Sequence, residues 1–331
     1  MAILQNMTII SIGDLERQLG VLKWPRFIAD CENAFQTRVR QIADRIVANP
    51  DIKAVFVSGP TASGKTTFSH RLSSLLQEKG HPTRLISLDD YYNSGVGRFD
   101  SQGRPDFESI DTLDTDQIVE DFSGLLSGRT VQLPTFSFIS RKRLFEPDKR
   151  ISLREGEIMV VEGLHGLSEL IAGQIGHGQW LGVFIMPWCT LLDGRQLLGS
   201  RYLRILRRIS RDVLHRGSTA LSTLDYWPMI DHTEQQFFPR YLSRADEYIN
   251  SCLPYEFCVI APLAARQIEH SLEQYESGRL PGSIYIKDQN GYADLPQAVI
   301  EARDLLSACT RIPSADRSVV PAGSILNEFI R

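Results

Sequence analysis

Lys53 to Phe68 reads KAVFVSGPTASGKTTF, and this stretch decides the fold. Ala54 to Val57 is a short apolar run of β-branched character, the pattern of a buried strand. Gly59, Gly64, Lys65 and Thr66 then complete the G-x-x-x-x-G-K-[ST] spacing of a phosphate-binding P-loop. Leu72, Leu75 and Leu76 continue as a helical stripe that stops at Gly80. Strand, glycine loop and helix are the context the motif requires. Phosphate oxygens need several N–H donors converging on one point, and glycines let the backbone wrap that tightly. The helix start adds unpaired N–H groups and the positive end of its dipole. Lys65 brings a point charge to the outer phosphates, and the Thr66 hydroxyl is placed for Mg²⁺.

Acids follow at the expected places downstream. Thr83 to Leu88 reads as a second strand and runs into Asp89-Asp90-Tyr91-Tyr92. Glu157 to Glu162, EIMVVE, is a third strand run that ends in an acid before Gly163. Open α/β sheets place ligands just beyond the carboxyl ends of their strands. An acid in Glu162's position holds Mg²⁺ directly or through water in P-loop enzymes. Leu181 to Met186 is a further apolar strand, and Glu256 to Ile260 reads as a last one. His165 follows Glu162 closely, but a lone His is most simply a packed or capping residue, and no His or Cys spacing forms a metal motif.

Tyr202 to His215 carries a one-sided cluster of charge. At 100° per residue Arg204, Arg207, Arg208, Arg211 and His215 share one arc of a helix, with Leu206, Ile209 and Val213 opposite. A solvated helix usually interleaves acids at i,i+4, and only Asp212 interrupts this one. The arc predicts an anion among the arginines, most simply a triphosphate and the transferring phosphoryl group.

Further helices are expected from Trp24-Pro25 to Ile46, from Asp111 to Leu126, around Phe237 to Tyr241, from Leu263 to Tyr275 and from Gln297 to Ala308. Gly95 to Asp106, Ser277 to Asn290 and Pro313 to Gly323 read as loops, and Ile325 to Ile330 as a short tail docking back. Residues 1–20 carry no clear pattern. The organisation expected is residues 1–50 as a segment packed on the core, 51–265 as the catalytic unit, and 266–331 as a helical extension of it.

Composition bounds the rest. The 331 residues are 42% hydrophobic and 23% charged, with a formal charge of −4 and a pI near 6.0. That balance gives no drive toward nucleic acid or membrane, and no apolar run is long enough to span a bilayer. Five cysteines without C-x-x-C spacing, and a start lacking a basic, apolar leader, point to a reduced cytoplasmic setting.

The P-loop GPTASGKTTF, the acidic ISLDDYY, DFESIDTLD, LPTFSFISRKR, VVEGLHGL and LRRISRDVLHRG occur in order and in register. Together they resemble the uridine kinase family of P-loop kinases, and more narrowly its bacterial branch often fused to a TGS domain. The tail VVPAGSILNEFI resembles that branch too.

The resemblance implies a nucleoside monophosphate kinase-like parallel sheet with flanking helices and an arginine-bearing lid. It also implies transfer of the ATP γ-phosphoryl to the 5′-hydroxyl of a pyrimidine ribonucleoside. Gly59, Pro60, Thr61, Ala62, Ser63, Gly64, Lys65, Thr66 and Thr67, with Arg204 and Arg208, would hold ATP. Asp89 matches the general base, acting with Lys65, Arg207 and Arg211. Thr66, Asp89 and Glu162 would attend Mg²⁺, and Arg216-Gly217 follows the helix feeding the lid. Tyr92, Glu108, Phe136, Arg141 and Arg204 would face the acceptor. Glu108 stands where those enzymes place a ribose-binding Asp, and Phe136 and Arg141 where they place a Tyr and a His. Tyr202 replaces the Asp that often precedes the helix. Partners implied are nucleoside and ATP, with no nucleic acid or membrane and with homo-oligomerisation left open.

Overall fold

The computed structural model describes residues 7–93, 98–137, 140, 142–176, 178–215, 217–286 and 291–331. Arg141 and Arg216, and parts of the 95–106, 131–138 and 277–290 segments, lie outside them.

The chain opens with β1 (Thr8–Ser11), α1 (Ile12–Gln18) and the long α2 (Lys23–Val47). The phosphate-loop unit follows as β2 (Ala54–Ser58) and α3 (Lys65–Glu78), then β3 (Thr83–Ser87) and α4 (Thr115–Leu126). Next come β4 (Ile158–Glu162), β5 (Trp180–Met186) and a hairpin of β6 (Cys189–Asp193) and β7 (Arg195–Gly199). The arginine helix is α5 (Ser200–His215), followed by α6 (Ala220–Arg244) and β8 (Glu247–Asn250). The chain closes with α7 (Glu256–Glu276), α8 (Leu295–Thr310) and α9 (Asn327–Ile330).

Five strands form an all-parallel sheet in the order β8-β5-β2-β4-β3. Side chains alternate across it with the two-residue period of a strand. Val55 and Val57 of β2 join the core under α2 and α3, whereas Ala54 and Phe56 join the core under α4. Both faces are covered, so the strands read as continuous apolar runs rather than alternating ones. The register sets the site: Glu162 lies level with Val57 on one side and with Ser87 on the other. Three carboxyl-terminal strand ends therefore meet in one row.

Three expectations fail in instructive ways. Glu256 to Ile260 is not the last strand but the first turns of α7; the run is apolar because that helix end is buried all round. The fifth strand is instead Glu247–Asn250, half polar and on the sheet's edge. Residues 8–18 also hold structure: β1 pairs in parallel with β6, and α1 carries a capping box of Ser11 and Asp14. The helix expected from Asp111 begins at Thr115, where Asp114 caps it.

Candidate active site

The P-loop follows from its local chemistry. A Cβ at Gly59 would lie 2.1 Å from the Ile185 carbonyl oxygen, so only glycine fits there. Gly64 caps α3 with φ of 89°, and Ala62 also adopts a left-handed φ, 57°. Such a conformation is uncommon for a residue with a Cβ and persists only where its surroundings fix it. Lys65 Nζ donates to the Pro60 carbonyl at 3.0 Å.

Glu162 forms the floor. Its Oε1 accepts from Ser87 Oγ at 2.8 Å and from Thr66 Oγ1 at 3.3 Å. Burial pushes its carboxyl well above the usual range, the Asp89 charge adds to that, and Lys65 opposes it. Thr66, Glu162 and Asp89 are the hard oxygen donors that Mg²⁺ prefers. Among the described residues no group of three or more His, Cys, Asp or Glu gathers into a metal cage.

The adjacent acids Asp89 and Asp90 differ. Asp90 is committed to structure: its Oδ1 accepts from Phe136 N at 3.0 Å and its Oδ2 lies 3.4 Å from Lys149 Nζ. Asp89 is the one whose charge is felt at Glu162. Tyr91 turns into the core and donates to Asp121 at 2.8 Å, leaving the Tyr92 ring 5.5 Å from that of Phe136. Glu108 is buried, 3.6 Å from Arg208 Nη1. Arg141 lies outside the described residues.

His165 is a buried connector that sequence reasoning assigned only to packing. Its Nε2 donates to the Glu108 carbonyl at 2.8 Å, so Nδ1 accepts from Tyr241 Oη at 2.7 Å. Burial drives its pKa down to about 4, so the ring is neutral. It ties the turn after Glu162 to the loop bearing Glu108.

The arginine arc does meet anions, but they are the protein's own. Arg207 and Glu256 are both 0% exposed and form a bidentate pair at 2.8 and 2.9 Å. Burial alone would lower the Arg207 pKa; Glu256 more than offsets this and raises it. Arg204 pairs with Glu234 in the same fork geometry. Arg208 contacts Asp212 at 3.2 Å and Tyr285 Oη at 3.3 Å. These side chains then reach the P-loop from behind. Arg204 Nε donates to Thr61 O at 3.0 Å, Arg207 Nη1 to Ala62 O at 3.1 Å, and Arg208 Nη1 to Thr61 Oγ1 at 3.0 Å. Arg207, expected as a catalytic charge, and Arg204, expected as an acceptor contact, thus lie buried in these pairs with their remaining N–H groups on the loop. Both are sealed braces that hold the loop's strained Thr61–Ala62 carbonyls. The acids responsible lie 30 and 49 residues away, beyond any helical spacing. Arg211 is more accessible and pairs with Asp212 at 2.7 Å.

The C-terminal segment, whose last residues the sequence predicts to dock back, also reaches the site. Tyr285 donates to Asp212 at 3.1 Å and stacks on Tyr226 at 4.4 Å. Ile325 packs on Gly64, and Glu328 reaches Thr67.

Residues 54–180 match the sequence model of the Phosphoribulokinase / Uridine kinase family. A uridine kinase of Staphylococcus aureus is 25% identical over 184 residues, which cover 55% of this chain and 79% of that protein. The solved structure of a possible uridine kinase from Bacillus stearothermophilus aligns at 17% identity and a TM-score of 0.43. That alignment covers 64% of this chain and 97% of the other. D-glycerate 3-kinase from Cryptococcus neoformans aligns at 13% identity and a TM-score of 0.30, covering 83% and 87%. Residues 54–180 are thus similar to that family, and the similarity supports a nucleotide-binding P-loop kinase, a phosphotransferase. No described helix is long and apolar enough to cross a membrane.

Proposed function

We propose that this chain transfers the γ-phosphoryl of Mg·ATP to the hydroxyl of a small alcohol, and that the acceptor is the 5′-hydroxyl of a nucleoside, uridine first. The observation that carries this is the row of strand ends. The sheet register sets Glu162 level with Val57, which leads into the P-loop, and with Ser87, two residues before Asp89. Lys65 and the first-turn N–H groups of α3 bind and orient the phosphates. Bound at Thr66 and Glu162, Mg²⁺ supplies charge neutralisation on the phosphate oxygens. Asp89 accepts or orients the acceptor proton, while Asp90 holds the Phe136 amide. Arg211 is the helix cation left near enough to the surface to meet transferring charge. Tyr92 and Phe136 offer rings for a base, and Glu108, paired with Arg208, offers a carboxylate for ribose.

The test is ATP consumption with nucleosides, deoxynucleosides, sugars and glycerate offered separately. Uridine is expected to lead. Phe136 offers cytosine's amino group no acceptor, and an unmet polar group costs about 1–3 kcal/mol. Cytidine should therefore trail roughly tenfold to a hundredfold in kcat/KM. Turnover with glycerate or a sugar alone would move the acceptor to another alcohol. No turnover with any acceptor would leave a nucleotide-binding regulator.

A further inference from the structure

The last residues of the chain pack against the P-loop at Gly64 and Thr67. Ile325 Cδ1 sits 2.4 Å from where a Gly64 Cβ would stand, and the Phe329 ring centre is 4.8 Å from the Arg207 guanidinium carbon. Ile325, Leu326, Phe329 and Ile330 are buried, so the segment is anchored on both sides of one half-buried acid. That acid, Glu328, places Oε2 2.9 Å from Thr67 Oγ1 and 3.4 Å from Thr67 N.

Thr67 is the third residue of α3. First-turn N–H groups have no carbonyl a full turn earlier within the helix, and in a P-loop they are the donors that cradle phosphate. A carboxylate is favoured there by the same dipole that favours a phosphate oxygen. Glu328 thus offers Thr67 the chemistry a nucleotide would offer: an anionic oxygen received by one N–H and one hydroxyl. The Glu328 charge is felt at the Glu162 carboxyl, as is that of Asp89. A triphosphate that arrives with its own cation is a better-placed anion for the same two donors.

We propose that Glu328 is a built-in stand-in for a nucleotide phosphate, closing the Thr67 end of the P-loop in the free protein and leaving it when the triphosphate binds. The inference rests on the reading of the loop as an ATP site. Tail and nucleotide then compete for one pair of donors, and the tail lowers apparent ATP affinity. The apolar anchors at Ile325 and Phe329 keep the tail close by, so it rebinds after product leaves.

The test uses the full chain and three proteins: parent, Glu328→Gln and Glu328→Asp. Aspartate keeps the charge but is one methylene shorter, which separates contact with Thr67 from a general charge effect. ATP and adenosine affinities are measured by titration calorimetry. Hydrogen exchange of the 327–330 amides is followed in the parent with and without ATP. Both variants are expected to bind ATP roughly tenfold more tightly, since a charge-assisted hydrogen bond no longer has to be displaced. Adenosine affinity is expected to be the same in all three, and exchange at 327–330 to speed up with ATP. A gain in Glu328→Gln alone would make the effect one of net charge and overturn the proposal. Equal or weaker ATP binding in both variants would overturn it too. If ATP bound none of the three while all melted alike, the reading of the loop as an ATP site would fall, and the inference with it.

Discussion

Lys65 and Arg207 are two cations that touch the same loop from opposite sides. Lys65 sits at its mouth, partly exposed, and donates to the Pro60 carbonyl. Arg207 lies behind it, wholly buried, and donates to the Ala62 carbonyl while forked onto Glu256. A lysine resting on a neutral carbonyl can turn to an arriving anion at little cost. An arginine already bound by two carboxylate oxygens in a dry interior cannot, because leaving would strand both charges. A loop that binds phosphate therefore needs two kinds of positive charge here: one that is unspent, and one that is spent on shape.

The sharpest way to break this comparison is Lys65→Ala. Turnover should fall below detection and ATP binding should weaken, while the melting temperature stays within a few degrees. Calorimetric titration and thermal melts on the same preparations read both. Unchanged affinity and turnover would take Lys65 out of the phosphate site.

The two neighbouring acids repeat the contrast. Asp89→Asn should keep ATP binding and cut kcat by about 10²–10⁴-fold, the usual loss for a positioned general base. Asp90→Asn should cost less turnover and more order, because its carboxylate holds the Phe136 amide and Lys149. If steady-state kinetics rank the two the other way, the general base is Asp90.

Arg207→Ala tests the spent charge. It leaves Glu256 buried without its partner, a loss of about 3–5 kcal/mol in proteins generally. Denaturant unfolding should show that loss, and the pair Arg207→Met with Glu256→Leu should recover much of it. A single Arg207→Ala variant with parental stability and a low kcat would return the arginine to the phosphate.

How much of this was legible in the sequence follows from range. The P-loop, its strand and its helix are local, and every residue they need lies within one stretch of chain. The acids Glu162 and Asp89 stand out in the sequence because one ends an apolar strand and the other closely follows one. The arginine arc was legible as an arc, and so was its need for an anion. What occupies it was not, because Glu234 and Glu256 lie on other helices and nothing in spacing links them to Arg204 and Arg207. The misread strand at Glu256 has the same origin. An apolar run buried all round looks alike in a helix and in a parallel strand. Tyr285 and Glu328 reach the site only through tertiary packing and carry no local mark.

The smallest expected effect concerns a buried group without a charged partner. Arg207 keeps its charge in the interior because Glu256 is there to receive it. His165 has only the Glu108 carbonyl and the Tyr241 hydroxyl, so it keeps its neutrality instead, with its pKa driven from 6.5 down to about 4 by burial. Above about pH 6.5 neither folded nor unfolded chain protonates this ring, and it adds no pH dependence. Below that, the unfolded chain takes up a proton that the folded site refuses. Stability should therefore fall as pH drops from about 6.5 to about 4, by about 3 kcal/mol at the bottom of that window. Glutamine can make the same two hydrogen bonds, donating to Glu108 and accepting from Tyr241, and it does not titrate. Urea unfolding at a series of pH values should thus give His165→Gln a flatter acid limb than the parent, with the two converging near neutrality. Parallel limbs would mean that the ring accepts its proton in the folded protein, and the contrast between a paired buried charge and an unpaired neutral group would fail at its second term.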